Sequence, residues 1–213
     1  MGQKVNPFGF RLGPLYSWSS RWFADGKRYK QLLFEDVKLR ETLQTRLKSA
    51  GLSRIEIDRS INKVDVTIYV TRPGVVIGRG GTGLEDLKKF ITKFLSKQKS
   101  TTPQKIELKV EPVKEPNLDA QIVATNISDQ LIKRLPHRRV VKQSIERVMN
   151  AGAKGVQIQL AGRIAGAEIS RREKYKQGTI PLSTIREEVD YASVPALTKS
   201  GYIGIKVWIC KKS

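Results

Sequence analysis

The sequence predicts an α+β protein made of two compact halves. Segments with the helical period and segments with the strand period occur in both halves. The segment Glu111 to Asn117, with two prolines and three charges, separates them and disfavours both helix and strand. Of the 213 residues, 39% are hydrophobic, which is enough to bury a core in each half. We therefore expect an N-terminal arm at 1–20, a first domain at 21–111, a linker at 112–118 and a second domain at 119–213.

The first half is expected to follow the order helix, strand, strand, loop, helix, strand. The arm that precedes it contains glycine, proline and serine without either period, so it is expected to be extended. Leucines four residues apart predict a helix over 39–47 that Gly51 can end. Alternating residues predict strands at 54–58 and 64–70. A glycine-rich loop follows, and after it Leu84, Leu87, Ile91 and Phe94 form an apolar stripe with the helical period. The last strand of this half is predicted at Ile106 to Val110.

The second half is expected to place two helices on one face of a mainly antiparallel sheet. The helices are predicted at 119–133 and 136–150, with Asp119 as the N-cap of the first and Pro136 in the first turn of the second. Four strands are predicted after them, at 156–160, 167–175, 184–191 and 203–209. The last of these strands has Ile203, Ile205, Val207 and Ile209 on one face.

The net charge of the chain predicts a polyanionic partner. Forty Lys and Arg residues stand against 20 Asp and Glu, which gives a net charge of +20 and a pI near 10.2. A folded protein this positive repels itself unless a polyanion is nearby, and nucleic acid is the usual one. The sequence has neither an apolar stretch of transmembrane length nor a signal-peptide core, so a membrane partner is not expected.

The scarcity of cysteine and histidine argues against an enzyme. Cys210 is the single cysteine, which excludes an intramolecular disulfide and a cysteine-based zinc site. His137 is the single histidine and lies among arginines that would hinder its protonation, so it is poorly suited to a catalytic triad. We expect no catalytic residues, no metal and no cofactor.

The loop Gly78-Arg79-Gly80-Gly81 is the most informative motif. Glycines at both ends allow the main chain to approach a ligand closely and to adopt positive φ values. The GXXG loop of KH domains clamps an RNA backbone in this way. Two alternatives stay open: Gly78 to Gly83 also satisfies the dinucleotide fingerprint G-x-G-x-x-G, and Gly80-Gly81 could be only a tight turn. The intervening segment from Arg72 to Ile77 disfavours the cofactor, because a Rossmann strand runs almost directly into its first glycine.

A second basic cluster lies in the helix that starts near Pro136. Arg138, Arg139 and Lys142 span an arc of roughly 100° beside an apolar stripe. Cations are disfavoured at a helix N-terminus, so their placement there suggests that they bind a partner rather than stabilise the fold. An RNA backbone would be such a partner, because each cation can neutralise a phosphate, although most basic runs are only solvated helix faces. A third basic segment runs from Arg163 to Lys176 and projects charges to both faces of a strand.

Several strings along the chain resemble one family over its whole length. The chain is similar to the small-subunit ribosomal protein three family, of bacterial and organellar type. The strings that carry the resemblance are Met1-Gly2-Gln3-Lys4-Val5-Asn6-Pro7, Arg11-Leu12-Gly13, Arg72-Pro73-Gly74-Val75-Val76-Ile77-Gly78, Gly152-Ala153-Lys154-Gly155, Gly162-Arg163-Ile164-Ala165-Gly166-Ala167-Glu168-Ile169 and Gly204-Ile205-Lys206-Val207-Trp208-Ile209.

The resemblance implies a type II KH domain, of order α-β-β-α-α-β, followed by the second α+β domain. It implies a non-enzymatic place in the head of the small subunit, in a cytoplasmic ribosome of bacterial or organellar type. Small-subunit rRNA, mRNA and neighbouring head proteins are the implied partners. The family's basic helix helps to unwind mRNA at its entry, and the matching positions are Arg138, Arg139 and Lys142. Expected rRNA contacts are Lys4 and Arg11 in the arm, together with the basic surface residues Lys88, Lys89, Arg163, Arg171 and Arg172.

Other roles and some departures from the family pattern stay open at this stage. A free-standing KH-type RNA regulator and a dinucleotide-dependent enzyme are the two alternative functions. The chain departs from the pattern at Leu135-Pro136-His137, ahead of the arginine pair, and in a loop at 98–102 that looks slightly expanded. It also ends at Ser213 without the long charged tail of many relatives, so contacts made by that tail are expected to be absent.

Overall fold

The computed structural model describes residues 4–60, 63–97 and 105–212, so the loop at 98–102 lies outside the described part of the chain. The described residues form two compact units, one of residues 18–114 and one of residues 4–17 with 115–212. In chain order the elements are α1 (Pro7–Phe10), β1 (Ser20–Arg21), α2 (Gly26–Arg46), β2 (Leu52–Arg59), β3 (Lys63–Val70), α3 (Pro73–Ile77), α4 (Thr82–Lys97), β4 (Lys105–Pro112), α5 (Ala120–Ile132), α6 (His137–Asn150), β5 (Gly155–Gly162), β6 (Arg171–Gly178), β7 (Val189–Thr198) and β8 (Gly201–Cys210).

The unit of residues 18–114 is a four-stranded sheet with helices on one face. The sheet order is β1-β2-β3-β4, with β2 antiparallel to β3 and β3 parallel to β4. A parallel pair needs a crossover connection, and α3 and α4 supply it. Strand β3 alternates between buried and half-buried residues, and its buried face joins α2 and α4 in one core. The order α2-β2-β3-α3-α4-β4 confirms the predicted α-β-β-α-α-β succession.

A buried charge cluster ties the start of this unit to its sheet. The Arg59 guanidinium on β2 lies 3.0 Å from a Glu35 carboxylate oxygen and 2.6 Å from one of Asp36, both on α2. The Arg59 side chain is 4% exposed, and the carboxylate side chains are 7% and 2% exposed. The second Asp36 oxygen accepts hydrogen bonds from Ser20 Oγ and Trp22 Nε1. The carboxylate of Asp36 therefore joins α2, β2 and the segment around β1.

The other unit has α5 and α6 on one face of an antiparallel sheet, as predicted. The sheet order is β6-β5-β8-β7, and each neighbouring pair is antiparallel. Alternate residues of β5 and β8 pack against the two helices, because successive side chains of a strand point to opposite faces. Asp119 is the predicted N-cap of α5, and its side chain accepts a hydrogen bond from the Ile122 amide. Pro136 lies one residue before its expected place, at the N-cap of α6.

Two strands are displaced from their predicted bounds, whereas β2, β3, β4, β5 and β8 differ from theirs by at most two residues at either end. The strand predicted at 167–175 is β6, at Arg171–Gly178, because Ile164–Gly166 form a 3₁₀ turn in which Ala165 has a φ of 56°. The strand predicted at 184–191 is β7, at Val189–Thr198, and it continues past Pro195. Strand β7 is an edge of the sheet, where the missing N–H of proline is tolerated.

The N-terminal arm is not the separate extended segment that the sequence predicted. Residues 4–17 belong to the unit of residues 115–212, and Asn6 caps the short helix α1. Arg11 holds them there, since its guanidinium has no exposed surface and donates to main-chain carbonyl oxygens. These carbonyls belong to Pro7, Pro181, Leu182, Thr184 and Glu187.

Candidate nucleic-acid interface

The glycine loop joins two helices and exposes its arginine. Gly78 ends α3 with a φ of 72°, and Gly80 has a φ of 62°, both in the region that favours glycine. Gly83, in the first turn of α4, lies so close to α3 that an added Cβ would approach the Val76 carbonyl oxygen to 2.6 Å. Arg79 is exposed, and its carbonyl accepts a hydrogen bond from Thr82 Oγ1. The loop thus places an exposed cation beside exposed glycine main chain, between α3 and α4.

The element before the loop decides against the dinucleotide fingerprint. That fingerprint needs a strand that leads directly into the first glycine and a helix that follows the last. Here β3 ends at Val70, and α3 lies between this strand and Gly78. The loop therefore has the helix–loop–helix setting of a GXXG clamp rather than the strand–loop–helix setting of a cofactor site.

Helix α4, which follows the loop, presents a row of lysines. Lys88 and Lys89 are exposed, whereas Leu87 and Ile91 are buried in the core. Lys88 and Lys89 line a shallow depression together with Glu85, Thr92 and Lys93. Both lysines predicted to contact rRNA are accordingly accessible on one helix face.

Helix α6 carries the second predicted cluster at its N-terminal end. Arg138, Arg139 and Lys142 are all exposed. Val141 and Val148 are 0% and 1% exposed, so the apolar side of the helix is packed as its period predicts. The sequence predicts both properties because they follow from the helical period alone.

A carboxylate on β6 offsets the positive charge at the start of α6. Glu173 accepts a 2.6 Å hydrogen bond from the Tyr175 hydroxyl and lies 3.1 Å from His137 Nε2 and 2.8 Å from Arg171 Nε. The pKa of Glu173 lies below its ordinary value, first because of the Tyr175 hydrogen bond and then because of electrostatic interactions with the His137 and Arg171 side chains. Burial, followed by the Glu173 carboxylate, raises the pKa of Tyr175, and the Arg138 guanidinium opposes this rise.

The remaining predicted rRNA residues have different environments. Arg163 Nε donates to the Ala167 carbonyl, and Arg171 is paired with Glu173, although both arginines stay exposed. Lys4 and Arg172 line one cavity of about 530 Å³. The prediction that Arg11 contacts rRNA must be corrected. Arg11 is fully buried, and each guanidinium nitrogen already donates to a carbonyl, so the side chain is not available to an rRNA phosphate.

Two family models match successive parts of the chain. The model of the KH domain matches residues 38–118, and that of ribosomal protein S3, C-terminal domain, matches residues 127–209. The chain is 48% identical over 211 residues to the small ribosomal subunit protein uS3 of Desulforamulus reducens, covering 99% of this chain and 92% of the relative. The chain is 46% identical to uS3 of Carboxydothermus hydrogenoformans, with the same coverage. It is 47% identical to uS3 of Bacillus cytotoxicus, covering 98% of this chain and 92% of the relative.

The chain belongs to the uS3 family of small ribosomal subunit proteins. Family membership confirms the expected resemblance, the KH domain and a structural, non-enzymatic role in the ribosome. RNA binding and participation in translation follow from the family. The expected location in the cytoplasmic ribosome agrees with that of the bacterial relatives.

Within residues 4–60, 63–97 and 105–212, helices long and apolar enough to cross a bilayer do not occur. In the same described ranges, clusters of three or more metal-ligating side chains are likewise absent.

Sequence reasoning missed the cavity that Lys4 and Arg172 line in this uS3 chain. Its other walls include Phe10, Tyr191 and Trp208. A signal for Trp208 was present, because isoleucines and a valine occupy one face of β8 and leave Lys206 and Trp208 on the other. The segments that meet there are far apart in sequence, so their meeting was not predictable from local patterns.

Proposed function

We propose that this uS3 chain anchors in the small-subunit head by binding rRNA and that helix α6 contacts mRNA at its entry into the subunit. The observation that carries the mRNA assignment is the exposure of Arg138, Arg139 and Lys142 together at one end of a helix whose opposite side is buried. Cations on a rigid helix bind separated phosphate backbones without reading their sequence. Translocation drives strand separation, and the cations keep the separated strands from pairing again.

Support for rRNA binding comes from the distribution of charge over both units. Lys88 and Lys89 are exposed on α4, whose other face is buried, and Lys4 and Arg172 are exposed in the unit formed by residues 4–17 and 115–212. Such surfaces bind phosphate backbones and release counterions, so affinity falls steeply with salt. Neighbouring head proteins complete the set of partners.

Removing the two arginines of α6 is expected to slow the translation of structured messages. Ribosomes that carry Arg138→Ala with Arg139→Ala should pass mRNA hairpins severalfold more slowly, because two phosphate contacts are lost at the entry. Both side chains are exposed, so folding and assembly should be unchanged. The measurement is the rate of translocation through a hairpin in purified ribosomes, compared with an unstructured message.

A matched double variant shows whether the position of the two cations on α6 matters or only the loss of two positive charges. Arg186→Ala with Lys199→Ala also removes two exposed cations, but outside α6. This control should leave the hairpin rate at the wild-type value. If the α6 variant translates hairpin messages at the wild-type rate, the mRNA role of this helix is wrong.

Reversing the charge of the glycine loop is expected to weaken RNA binding. Arg79→Glu with Gly80→Asp should lower the affinity of the full-length protein for small-subunit rRNA by roughly tenfold at low salt and flatten the salt dependence. The fold should tolerate the change, since an added Cβ at Gly80 meets nothing within 4 Å and aspartate tolerates a φ near 62° better than most residues. Filter binding across a salt titration measures both quantities.

The control for this loop makes the same change of charge on helix α2. Arg28→Glu with Gln31→Glu alters two exposed residues of α2 and should weaken binding less than the loop variant does. Equal affinities and equal salt slopes for the two variants would show that net charge alone matters and that the loop is not an RNA clamp.

A further inference from the structure

The sheet of the unit formed by residues 4–17 and 115–212 has a second face, opposite α5 and α6, with its own chemistry. Strand β8 gives Ile205 and Val207 to the core, so Lys206 and Trp208 lie on the opposite face. Gln159 of β5 pairs with Lys206, and Tyr191 of β7 pairs with Trp208. An amide, a cation and two aromatic rings therefore lie side by side on this face.

A cavity of about 530 Å³ opens on this face. Residues 4–7 and Phe10 border it on one side, and Leu182 and Ser183 of the loop before β7 border it on another. The volume falls within the range of small-molecule sites, about 300–1,000 Å³. Arg11 fixes both borders, because its guanidinium donates to the Pro7 carbonyl and to the Leu182 carbonyl.

The lining of the cavity combines cations with aromatic rings. Lys4, Arg172 and Lys206 are exposed, and acidic residues do not occur among the described residues of the lining. Phe10 is 40% exposed, whereas the rings of Tyr191 and Trp208 pack with their centroids 5.2 Å apart. Cations favour a phosphate, and the exposed ring of Phe10 favours a base, so together they favour a nucleotide over a free anion or an apolar peptide.

We propose that this cavity receives an unpaired nucleotide of small-subunit rRNA, and this proposal rests on the proposed function of rRNA binding. The base stacks on Phe10 and the half-buried Gln159 amide bonds its edge, since an amide both donates and accepts hydrogen bonds. Lys4, Arg172 and Lys206 bind the flanking phosphates. The face opposite the helices is thus a second RNA contact, separate from α6.

Binding of full-length variants to transcribed small-subunit rRNA tests the ring and the cation separately. Phe10→Leu keeps an apolar side chain but removes the ring, and it should weaken binding roughly tenfold, whereas Phe10→Tyr should bind as the wild type does. Lys206→Ala should weaken binding more than Lys174→Ala, its matched control. Both lysines are exposed and pair with Gln159 from opposite sides, but only Lys206 lines the cavity.

A photochemical cross-link tests the same contact in the wild-type protein. Irradiation of assembled small subunits should join a nucleotide to the peptide that contains Phe10 or to the one that contains Trp208. Unchanged affinity of Phe10→Leu, or cross-links of this cavity only to a neighbouring protein, would overturn the proposal while leaving rRNA binding intact. Failure of the wild-type protein to bind rRNA would overturn both proposals.

Discussion

Replacing Arg11 with alanine is expected to cost about 3–4 kcal/mol of the folding free energy of the unit formed by residues 4–17 and 115–212. The guanidinium is fully buried and donates to carbonyls of α1 and of the loop at 181–187. Hydrogen bonds to a charged group each contribute about 1.5–3 kcal/mol, but the contributions of neighbouring bonds do not simply add, so the total is smaller than their sum. Loss of the side chain leaves these carbonyls without their donor and releases residues 4–10 from the sheet.

Hydrogen–deuterium exchange of the free protein measures this effect where it occurs. In Arg11→Ala, amides of residues 182–187 should exchange much faster, whereas those of β2 and β3 in the other unit should not change. Arg11→Lys should resemble Arg11→Ala, since an ammonium cannot reach five carbonyls in the fork geometry of a guanidinium. Arg186→Ala, at an exposed arginine of the same loop, is the control and should change little. Unaltered exchange in Arg11→Ala, with weaker rRNA binding, would restore Arg11 as a direct rRNA contact.

The sequence predicted best those features that depend on neighbouring residues. The stripe of α6, the alternation of β3 and the cap at Asp119 were all correct, because each follows from a local period or a single side chain. Arg11 was misread for the opposite reason. All but one of the carbonyls that it donates to lie 170 or more residues away, so the surrounding glycines and prolines suggested an extended arm.

The candidate nucleic-acid interface likewise has parts that local sequence predicted and one part that it did not. The loop from Gly78 to Gly81 and the cluster at Arg138 are contiguous in sequence, and the structure exposes both. The cavity beside Trp208 is assembled from α1, four strands and a loop, so its chemistry becomes visible only when the sheet register is known. For this cavity the sequence carries only one local signal: the alternation of β8 places its core residues on one face and Lys206 and Trp208 on the other.

The largest loss of stability in the unit of residues 18–114 is expected from Arg59→Met. This change keeps much of the side-chain volume but leaves the carboxylates of Glu35 and Asp36 buried without their cation. Removing one partner of a buried ion pair costs about 3–5 kcal/mol, because the remaining charge is not compensated. The reporter is the fluorescence of Trp22, whose Nε1 donates to Asp36 and should become solvated early in a urea titration.

Two comparisons show whether uncompensated charge is the cause of that loss. Arg54→Met changes another arginine of β2, but its side chain is 62% exposed and its partner Glu56 is reached from solvent, so the cost should be within about 1 kcal/mol. Adding Glu35→Gln and Asp36→Asn to Arg59→Met removes both buried charges and should recover most of the stability, since amides still accept the hydrogen bonds of Ser20 and Trp22. A triple variant as unstable as Arg59→Met would show that the packing and hydrogen bonds of the guanidinium, and not its charge, hold α2 to the sheet.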